Sequence, residues 1–338
     1  MVRTASADGR PETLGFPAGR DGQPAPPDLR LRAAVWMRKH KLAPYLLLIP
    51  SLLLIGGLVL WPTLQIGVLS FQNKGLPQVI GTEPTQWVGF SNFSQVLHDP
   101  EFWLSLRISL VTAAIMVPLT LIIGTLVGLL LSKLGPRMRT FVSSVAVLAW
   151  ATPAVASSTI FVWLADPNGG VVDWFLSKLP TWLGGGARWA GYSWVNSAVP
   201  AYTLIIAIIV WTSFPFIAVS VLAGLRTIPA EVHESARVDG AGPWRIFWRI
   251  TYPMLKPLFL VLLLLSIIWD FGIFTQVYVV TGTGNRDEYN LGMYAYTQAF
   301  SPLPSYSVGS ALAFILTLIL LIITIGYVRS SVRQGAIQ

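Results

Sequence analysis

Residues 198–225 read AVPAYTLIIAIIVWTSFPFIAVSVLAGL, and residues 227–257, just after them, read TIPAEVHESARVDGAGPWRIFWRITYPMLKP. The first stretch is apolar throughout and exceeds the roughly 20 residues that a helix needs to cross a hydrocarbon core. The second stretch carries charges of both signs, among them Glu234, Arg237 and Asp239, in a chain of which only 11% is charged. We therefore expect residues 227–257 to lie in water and the residues before them in lipid.

Composition predicts the same organisation for the rest of the chain. Of the 338 residues, 54% are hydrophobic, more than a soluble domain usually contains. Six apolar runs are long enough to span a membrane, and the alternating pattern of a membrane β-strand is absent. The runs cover roughly residues 43–71, 104–132, 141–164, 198–225, 258–280 and 308–328. The sequence therefore predicts an all-α integral membrane protein with six transmembrane helices.

The distribution of lysine and arginine predicts the orientation of these helices. Eighteen of the 23 residues fall in the N-terminal tail, residues 133–139, residues 226–257 and the C-terminus. The other five are Lys74, Arg107, Lys178, Arg188 and Arg286. Because positive charge concentrates on the cytoplasmic side of a membrane, both termini and the polar segment are expected to be cytoplasmic. The net charge of +8 is thereby explained without a nucleic-acid partner.

The chain divides into one membrane domain and two tails. Residues 1–42 are rich in proline, glycine and basic residues, which predicts a disordered cytoplasmic tail and juxtamembrane segment. Residues 43–329 form the membrane domain, and residues 330–338 form a cytoplasmic tail. Three external segments hold several tryptophans, which serve either as an interfacial belt or as contacts for a docked partner. These segments are residues 72–103, 166–197 and 281–307.

Enzymatic sites are not visible in the sequence. It contains no P-loop, no GxSxG elbow, no HExxH motif and no cysteine, and its three histidines are far apart. We therefore expect no catalytic site, no metal site and no ATP hydrolysis by this chain itself.

The polar segment is punctuated as two short helices joined by a turn. Pro229 suits the start of a first helix and Gly240 its end, while Pro243 suits the start of a second helix that runs toward Pro253. The alternative interpretation is a solvated loop with no partner.

The same segment resembles a motif of a known family. Residues 234–241, ESARVDGA, followed by Ile250 and Pro253, resemble the EAA motif of permease subunits in binding-protein-dependent ABC importers. That motif has the pattern E-A-A, three residues, G, about nine residues, then I-x-L-P. Ser235 replaces an alanine of the motif and Tyr252 replaces its leucine.

Three other segments resemble the sugar-permease branch of that family, the maltose and glycerol-phosphate type. Residues 87–93 (WVGFSNF) resemble its V-G-x-x-N-F segment, residues 223–229 (AGLRTIP) its A-G-L-x-x-I-P segment, and residues 269–282 its W-x-F-x-x-F-x-x-x-Y-x-x-T-G segment. The resemblance covers the chain from about residue 43 to the C-terminus.

The resemblance implies a function and a set of partners. The chain would be one membrane-spanning permease of an ATP-driven importer for a sugar or related solute, in the inner or plasma membrane of a prokaryote. It would pair with a second, homologous permease, with two ATPase subunits that bind ATP and magnesium, and with an extracytoplasmic solute-binding protein. Its first polar helix would be the coupling helix that contacts an ATPase. The coupling residues would be Glu234, Ser235, Ala236, Asp239, Gly240 and Ala241.

Asp270 is the only acidic residue well inside an apolar run, near the middle of the bilayer. A charged side chain there is costly unless it faces a polar cavity or a partner. One interpretation, which the resemblance favours, is a substrate path that contains Trp269, Asp270, Phe274 and Gln276. The others are a structural hydrogen bond, a pair with the companion subunit, or the ion site of a secondary transporter driven by an ion gradient.

Overall fold

The structure is a computed structural model that describes residues 43–284 and 288–333. The predicted N-terminal tail, residues 1–42, and residues 334–338 of the predicted C-terminal tail lie outside the described residues.

The described chain is built from fifteen α-helices, numbered here α1 to α15, with short π and 3₁₀ turns. The helices before the polar segment are α1 (Ala43–Ile55), α2 (Trp61–Leu69), α3 (Leu76–Val79), α4 (Ser91–His98), α5 (Pro100–Lys133), α6 (Pro136–Trp150), α7 (Ala154–Leu164), α8 (Val171–Lys178) and α9 (Ala198–Leu225). The remaining helices are α10 (Ala230–Val238), α11 (Pro243–Ile246), α12 (Tyr252–Phe271), α13 (Thr275–Thr281), α14 (Leu291–Phe300) and α15 (Tyr306–Arg333).

Five stretches of helix among the described residues are long and apolar enough to cross a membrane. They are Leu48–Leu69, Pro100–Lys133, Ala198–Leu225, Pro243–Phe271 and Tyr306–Arg329. A sixth apolar stretch consists of α6 and α7, which meet at an angle of 94°. The all-α membrane fold predicted from the sequence is confirmed, and the predicted third helix is a bent pair.

Two of the predicted spans are each broken into two helices in the structure. Residues 141–164 are interrupted after Trp150, where Pro153 precedes α7 and lacks the N–H that would continue the helix. Residues 258–280 are interrupted after Phe271, and the chain resumes as α13 at Thr275. Pro118 and Pro215, by contrast, lie inside helices that continue past them.

The structure forms two compact units, divided after Leu64. In the first unit, α1 passes through a π-helical turn at Gly56–Leu60 into the first residues of α2. The second unit begins at Gln65 and contains all of α3 to α15.

Helices α5 and α9 form a close helix pair within the second unit. Gly124 and Gly128 lie four residues apart on α5, a spacing that lets two helix backbones approach closely. A Cβ atom at Gly124 would lie 2.5 Å from the Ile217 Cβ atom of α9, and one at Gly128 would lie 2.8 Å from the Ala218 carbonyl oxygen. Only glycine fits at these two positions.

Candidate functional site

Two regions of the second unit are candidates for function, because each gathers polar residues that the sequence singles out. The first is the polar segment, residues 227–257. The second is a cavity beside Asp270.

The polar segment folds into the helix, turn and helix that its proline and glycine residues predict. Helix α10 follows Pro229 and ends at Val238. Gly240 has a φ of +77°, a left-handed conformation that glycine adopts without a Cβ penalty. The N–H of Gly240 donates to the Arg237 carbonyl (3.0 Å) and the N–H of Ala241 to the Ala236 carbonyl (2.9 Å). These two bonds form a Schellman motif, which satisfies the last carbonyls of the helix.

The predicted coupling residues divide between the surface and the interior of this segment. Glu234, Ser235, Asp239 and Gly240 are exposed, Ala241 is half-buried, and Ala236 packs inward. Val238 is 87% exposed and lies four residues after Glu234, on the same face of α10. Sequence inspection did not single out Val238, because a single apolar residue on a helix surface is common and gives no signal of its own.

A hydrogen bond joins α10 to the start of the next membrane helix. The His233 Nε2 atom lies 3.2 Å from the Thr251 Oγ1 atom. Thr251 is 4% exposed and ends a π-helical turn, Phe247–Thr251, that connects α11 to α12 without a break. Helix α12 then continues to Phe271, so Asp270 lies about 28 Å along the axis from Thr251 at 1.5 Å per residue. One continuous helix therefore links the polar segment to Asp270.

A cavity of about 300 Å³ lies beside Asp270. Its wall includes all four residues of the predicted substrate path. The cavity is lined by Trp150, Thr152, Ala154, Ile209, Thr212, Ser213, Trp269, Asp270, Ile273, Phe274, Thr275 and Gln276. Apart from Ile273 and Thr275, which lie between predicted residues, the residues that sequence inspection missed come from the α6–α7 bend and from α9. The apolar runs that contain them gave no signal for a polar wall.

The two helix breaks create this cavity. The bend between α6 and α7 brings Trp150 and Thr152 to the wall, and the end of α12 at Phe271 frees the backbone from Gly272 to Phe274. The Asn290 side chain donates to the freed Ile273 carbonyl (2.5 Å) and accepts from the Met293 N–H at the start of α14. Irregular backbone at membrane depth requires such a partner, and sequence inspection missed Asn290.

Asp270 is 3% exposed, and its Oδ2 atom has no hydrogen-bonding partner among the residues that the structure describes. A buried polar atom without a partner costs free energy, so it is expected to meet a ligand, a water molecule or another subunit.

Phe216 packs against Trp150 and Trp269, with ring centroids 5.7 and 5.4 Å apart. The cavity thus combines aromatic rings with a carboxylate, hydroxyl groups and an amide, the mixture typical of a small-molecule site.

No group of three or more His, Cys, Asp or Glu side chains that could hold a metal ion occurs within residues 43–284 and 288–333.

A family model and two related proteins identify the same class of membrane protein. A family model described as "Binding-protein-dependent transport system inner membrane component" matches residues 120–334. The diacetylchitobiose uptake system permease protein DasB of Streptomyces coelicolor is 40% identical over 90% of this chain and 90% of its own length. The sulfoquinovosyl glycerol transport system permease protein SmoG of Agrobacterium fabrum is 32% identical over 86% of this chain and 90% of its own length.

A solved structure shares the fold. A chain in the crystal structure of a bacterial alginate ABC transporter, in complex with a periplasmic protein bound to alginate pentasaccharide, superposes with a TM-score of 0.72 at 19% identity. The match covers 87% of this chain and 96% of that chain.

Proposed function

This chain belongs to the family of binding-protein-dependent transport system inner membrane components, and on that premise we propose how it moves its solute. The prediction of an importer permease, rather than an enzyme, is confirmed. No similarity supports the alternative of an ion-coupled secondary transporter. The proposal concerns the solute, the path and the coupling to ATP.

The proposed solute is a sugar or glycoside. The names of DasB and SmoG specify diacetylchitobiose and sulfoquinovosyl glycerol as the solutes of those two systems. The observation that carries the proposal is the cavity, in which Trp269, Asp270, Phe274 and Gln276 come together. Aromatic faces can pack on the C–H groups of a pyranose ring, and the carboxylate and amide can bond its hydroxyl groups.

Asp270 is proposed to hold the solute by hydrogen bonds. Its unpartnered oxygen is an acceptor that a sugar hydroxyl can satisfy inside the cavity. Thr212 and Ser213 of α9 also line this cavity and carry hydroxyl groups. A pair with the companion permease remains the alternative role for this carboxylate.

Helix α10 is proposed to be the coupling helix, on the cytoplasmic side that the positive charges predict. Its exposed residues Glu234, Ser235, Asp239 and Gly240 would contact the ATPase, with Val238 as an apolar anchor on the same surface. The buried Ala236 and the turn at Ala241 would keep the helix and turn rigid. A rigid α10, tied to α12 through His233 and Thr251, would transmit the displacement of the ATPase to the cavity.

The proposed assembly contains this chain, a second homologous permease, two ATPase subunits that bind ATP and magnesium, and an extracytoplasmic solute-binding protein. The similar transporter structure, solved with a periplasmic protein that carries an oligosaccharide, supports this kind of partner.

Reconstitution tests the proposal. The complex is co-purified, placed in proteoliposomes and supplied with its binding protein, and ATP hydrolysis is measured with diacetylchitobiose, maltose, sulfoquinovosyl glycerol, glycerol 3-phosphate and an amino-acid control. We expect stimulation by at least one glycoside and none by the amino acids. Stimulation by amino acids alone would overturn the sugar assignment.

A further inference from the structure

A second cavity, of about 540 Å³, lies at the other end of the membrane helices from the polar segment. Its wall combines polar and aromatic residues from the start of α5 and from α14 and the loop after it. The cavity is lined by Glu101, Thr283, Tyr289, Tyr296, Thr297, Gln298, Phe300, Ser301, Pro302 and Leu303.

We call this second cavity the outer cavity. Helix α5 reaches from it to the polar segment, so positions along α5 give the distance between the two. Leu129 of α5 lines a surface groove together with Pro243 and Trp244 of the polar segment. Glu101 precedes Leu129 by 28 positions on the same helix, which corresponds to about 42 Å at 1.5 Å per residue. The outer cavity is therefore separated from the polar segment by more than the roughly 30 Å hydrocarbon thickness.

A chain of aromatic rings connects the two cavities. Phe274 lines the cavity beside Asp270, and its ring centroid lies 4.5 Å from that of Tyr296, which lines the outer cavity. Tyr296 in turn lies 5.0 Å from Phe300, whose side chain is 66% exposed. Tyr278 lies beside both inner rings, at 5.4 Å from Phe274 and 5.6 Å from Tyr296.

Hydrogen bonds at both ends of α14 hold these rings in place. The Tyr294 hydroxyl donates to the Asp99 Oδ2 atom at the start of α5 (2.5 Å). Burial, together with this bond, raises the pKa of Tyr294 above its usual range, so the hydroxyl remains a donor. The Ser305 N–H donates to the Gln298 carbonyl (2.8 Å) and closes the loop that follows α14. The rings therefore stand in a preformed arrangement.

We propose that the outer cavity is a second sugar subsite and that the rings of Phe300, Tyr296 and Phe274 guide a pyranoside from it to the cavity beside Asp270. This inference rests on the proposed sugar transport. The flat rings present faces that accept the C–H groups of a pyranose, and Glu101, Thr297 and Gln298 supply hydrogen-bonding groups beside them. Because stacking does not depend on the pattern of hydroxyl groups, it lets a sugar step from ring to ring.

The test is uptake of radiolabelled diacetylchitobiose into proteoliposomes by the complete transporter with its binding protein. Tyr296→Leu and Phe300→Leu remove a flat ring and keep an apolar side chain, whereas Tyr296→Phe keeps the ring. Phe141→Leu serves as the matched control, because Phe141 is as exposed as Phe300 (66%) and lines neither cavity. Basal ATP hydrolysis without sugar is measured for every variant.

The two leucine variants in the path are expected to lower initial uptake at subsaturating loaded binding protein by about tenfold. Tyr296→Phe and Phe141→Leu should retain uptake within about twofold, and basal ATP hydrolysis should be unchanged throughout. Equal uptake by Tyr296→Leu and Phe141→Leu would overturn the subsite. A parallel loss of basal hydrolysis and uptake would also overturn it, because the rings would then only support the fold. If the unaltered complex takes up neither diacetylchitobiose nor maltose, the proposed sugar transport is wrong, and the subsite proposal that rests on it is wrong as well.

Discussion

Asp270 and Gly240 are the two residues whose chemistry the account uses most. Asp270 places a buried carboxylate oxygen without a partner among the described residues at the wall of a cavity. Gly240 supplies the left-handed backbone that ends α10, the proposed coupling helix. The first is proposed to act through hydrogen bonds to the solute, and the second through backbone geometry.

Replacing Asp270 by asparagine tests the hydrogen bonds. The Asp270→Asn variant keeps the volume of the side chain but removes the charge and one acceptor. We expect sugar-stimulated ATP hydrolysis to fall by about tenfold, because a hydrogen bond to a charged group contributes about 1.5–3 kcal/mol. Asp173→Asn is the control, because Asp173 is also a buried acid and bonds the Trp194 indole (2.7 Å) outside the cavity. Unchanged sugar preference and activity in Asp270→Asn would argue for a structural role.

Replacing Gly240 tests the turn. A side chain in the left-handed region costs about 1–2 kcal/mol, and a Cβ atom at Gly240 would meet no atom within 4 Å. Any loss of solute-stimulated ATP hydrolysis in Gly240→Val therefore comes from the strained backbone or from an altered contact with the ATPase. We expect the variant to lose solute-stimulated ATP hydrolysis while still reaching the membrane. Gly242→Ala, at an equally open position with an ordinary φ of −69°, should remain active, and equal activity of both variants would contradict the role of the turn.

At the scale of helices, the sequence predicts the ends of a helix correctly where residues close to those ends determine them. Pro229, Gly240 and Pro243 predict the bounds of α10 and the start of α11, because proline and glycine act through the backbone of their own turn. Pro153 accounts for the break near Thr152 in the same local way. The break near Gly272 was not predicted, since an apolar run does not reveal where distant groups will satisfy a broken helix. Asn290 provides such a group for Ile273 from 17 positions away.

The wall of the cavity beside Asp270 also contains residues that the sequence predicts and residues that only the packing of helices brings there. Asp270 could be predicted because it is a single acidic residue in an apolar run, and the resemblance to the sugar-permease branch implied its neighbours Trp269, Phe274 and Gln276. Trp150, Thr152, Thr212 and Ser213 could not, because only the packing of α6, α7, α9 and α12 brings them to the wall.

The hydrogen bond between α10 and α12 gives a prediction about coupling. Thr251→Val removes the hydroxyl that His233 contacts and keeps the shape of the side chain. Because a neutral hydrogen bond contributes about 0.5–1.5 kcal/mol, we expect sugar uptake per ATP hydrolysed to fall by about fivefold while basal hydrolysis persists. Thr203→Val, which removes an exposed hydroxyl bonded within its own helix, should leave this ratio unchanged. An unchanged ratio in Thr251→Val would mean that the bond transmits nothing.

The close packing of α5 on α9 gives a prediction about stability. In Gly124→Val, the new Cβ atom would overlap Ile217 at 2.5 Å, and overpacking costs about 1–3 kcal/mol. We expect the melting temperature of the detergent-solubilised protein to fall by several degrees. Gly326→Val should not change it, because Gly326 has open space around its Cβ position. Equal melting temperatures would show that the two helices can separate without cost.

At the scale of the whole molecule, one helix and a series of aromatic rings within the second unit join the polar segment to the two cavities. Helix α12 runs from the polar segment to Asp270, and the aromatic rings continue from Phe274 to Phe300 at the other end. The second unit thus holds the proposed contact with the ATPase, the cavity beside Asp270 and the proposed outer subsite. Neither cavity explains transport without a source of energy, and that source is proposed to enter through α10.

The most direct test of this account is uptake of a labelled sugar into proteoliposomes that contain the complete transporter, with ATP present or absent and with Glu234 intact or replaced by alanine. We predict uptake only with ATP, and we predict that Glu234→Ala abolishes it while the complex still forms and reaches the membrane. Normal ATP-dependent uptake by the Glu234→Ala complex, or uptake by this chain alone in an ion gradient without ATP, would contradict the account.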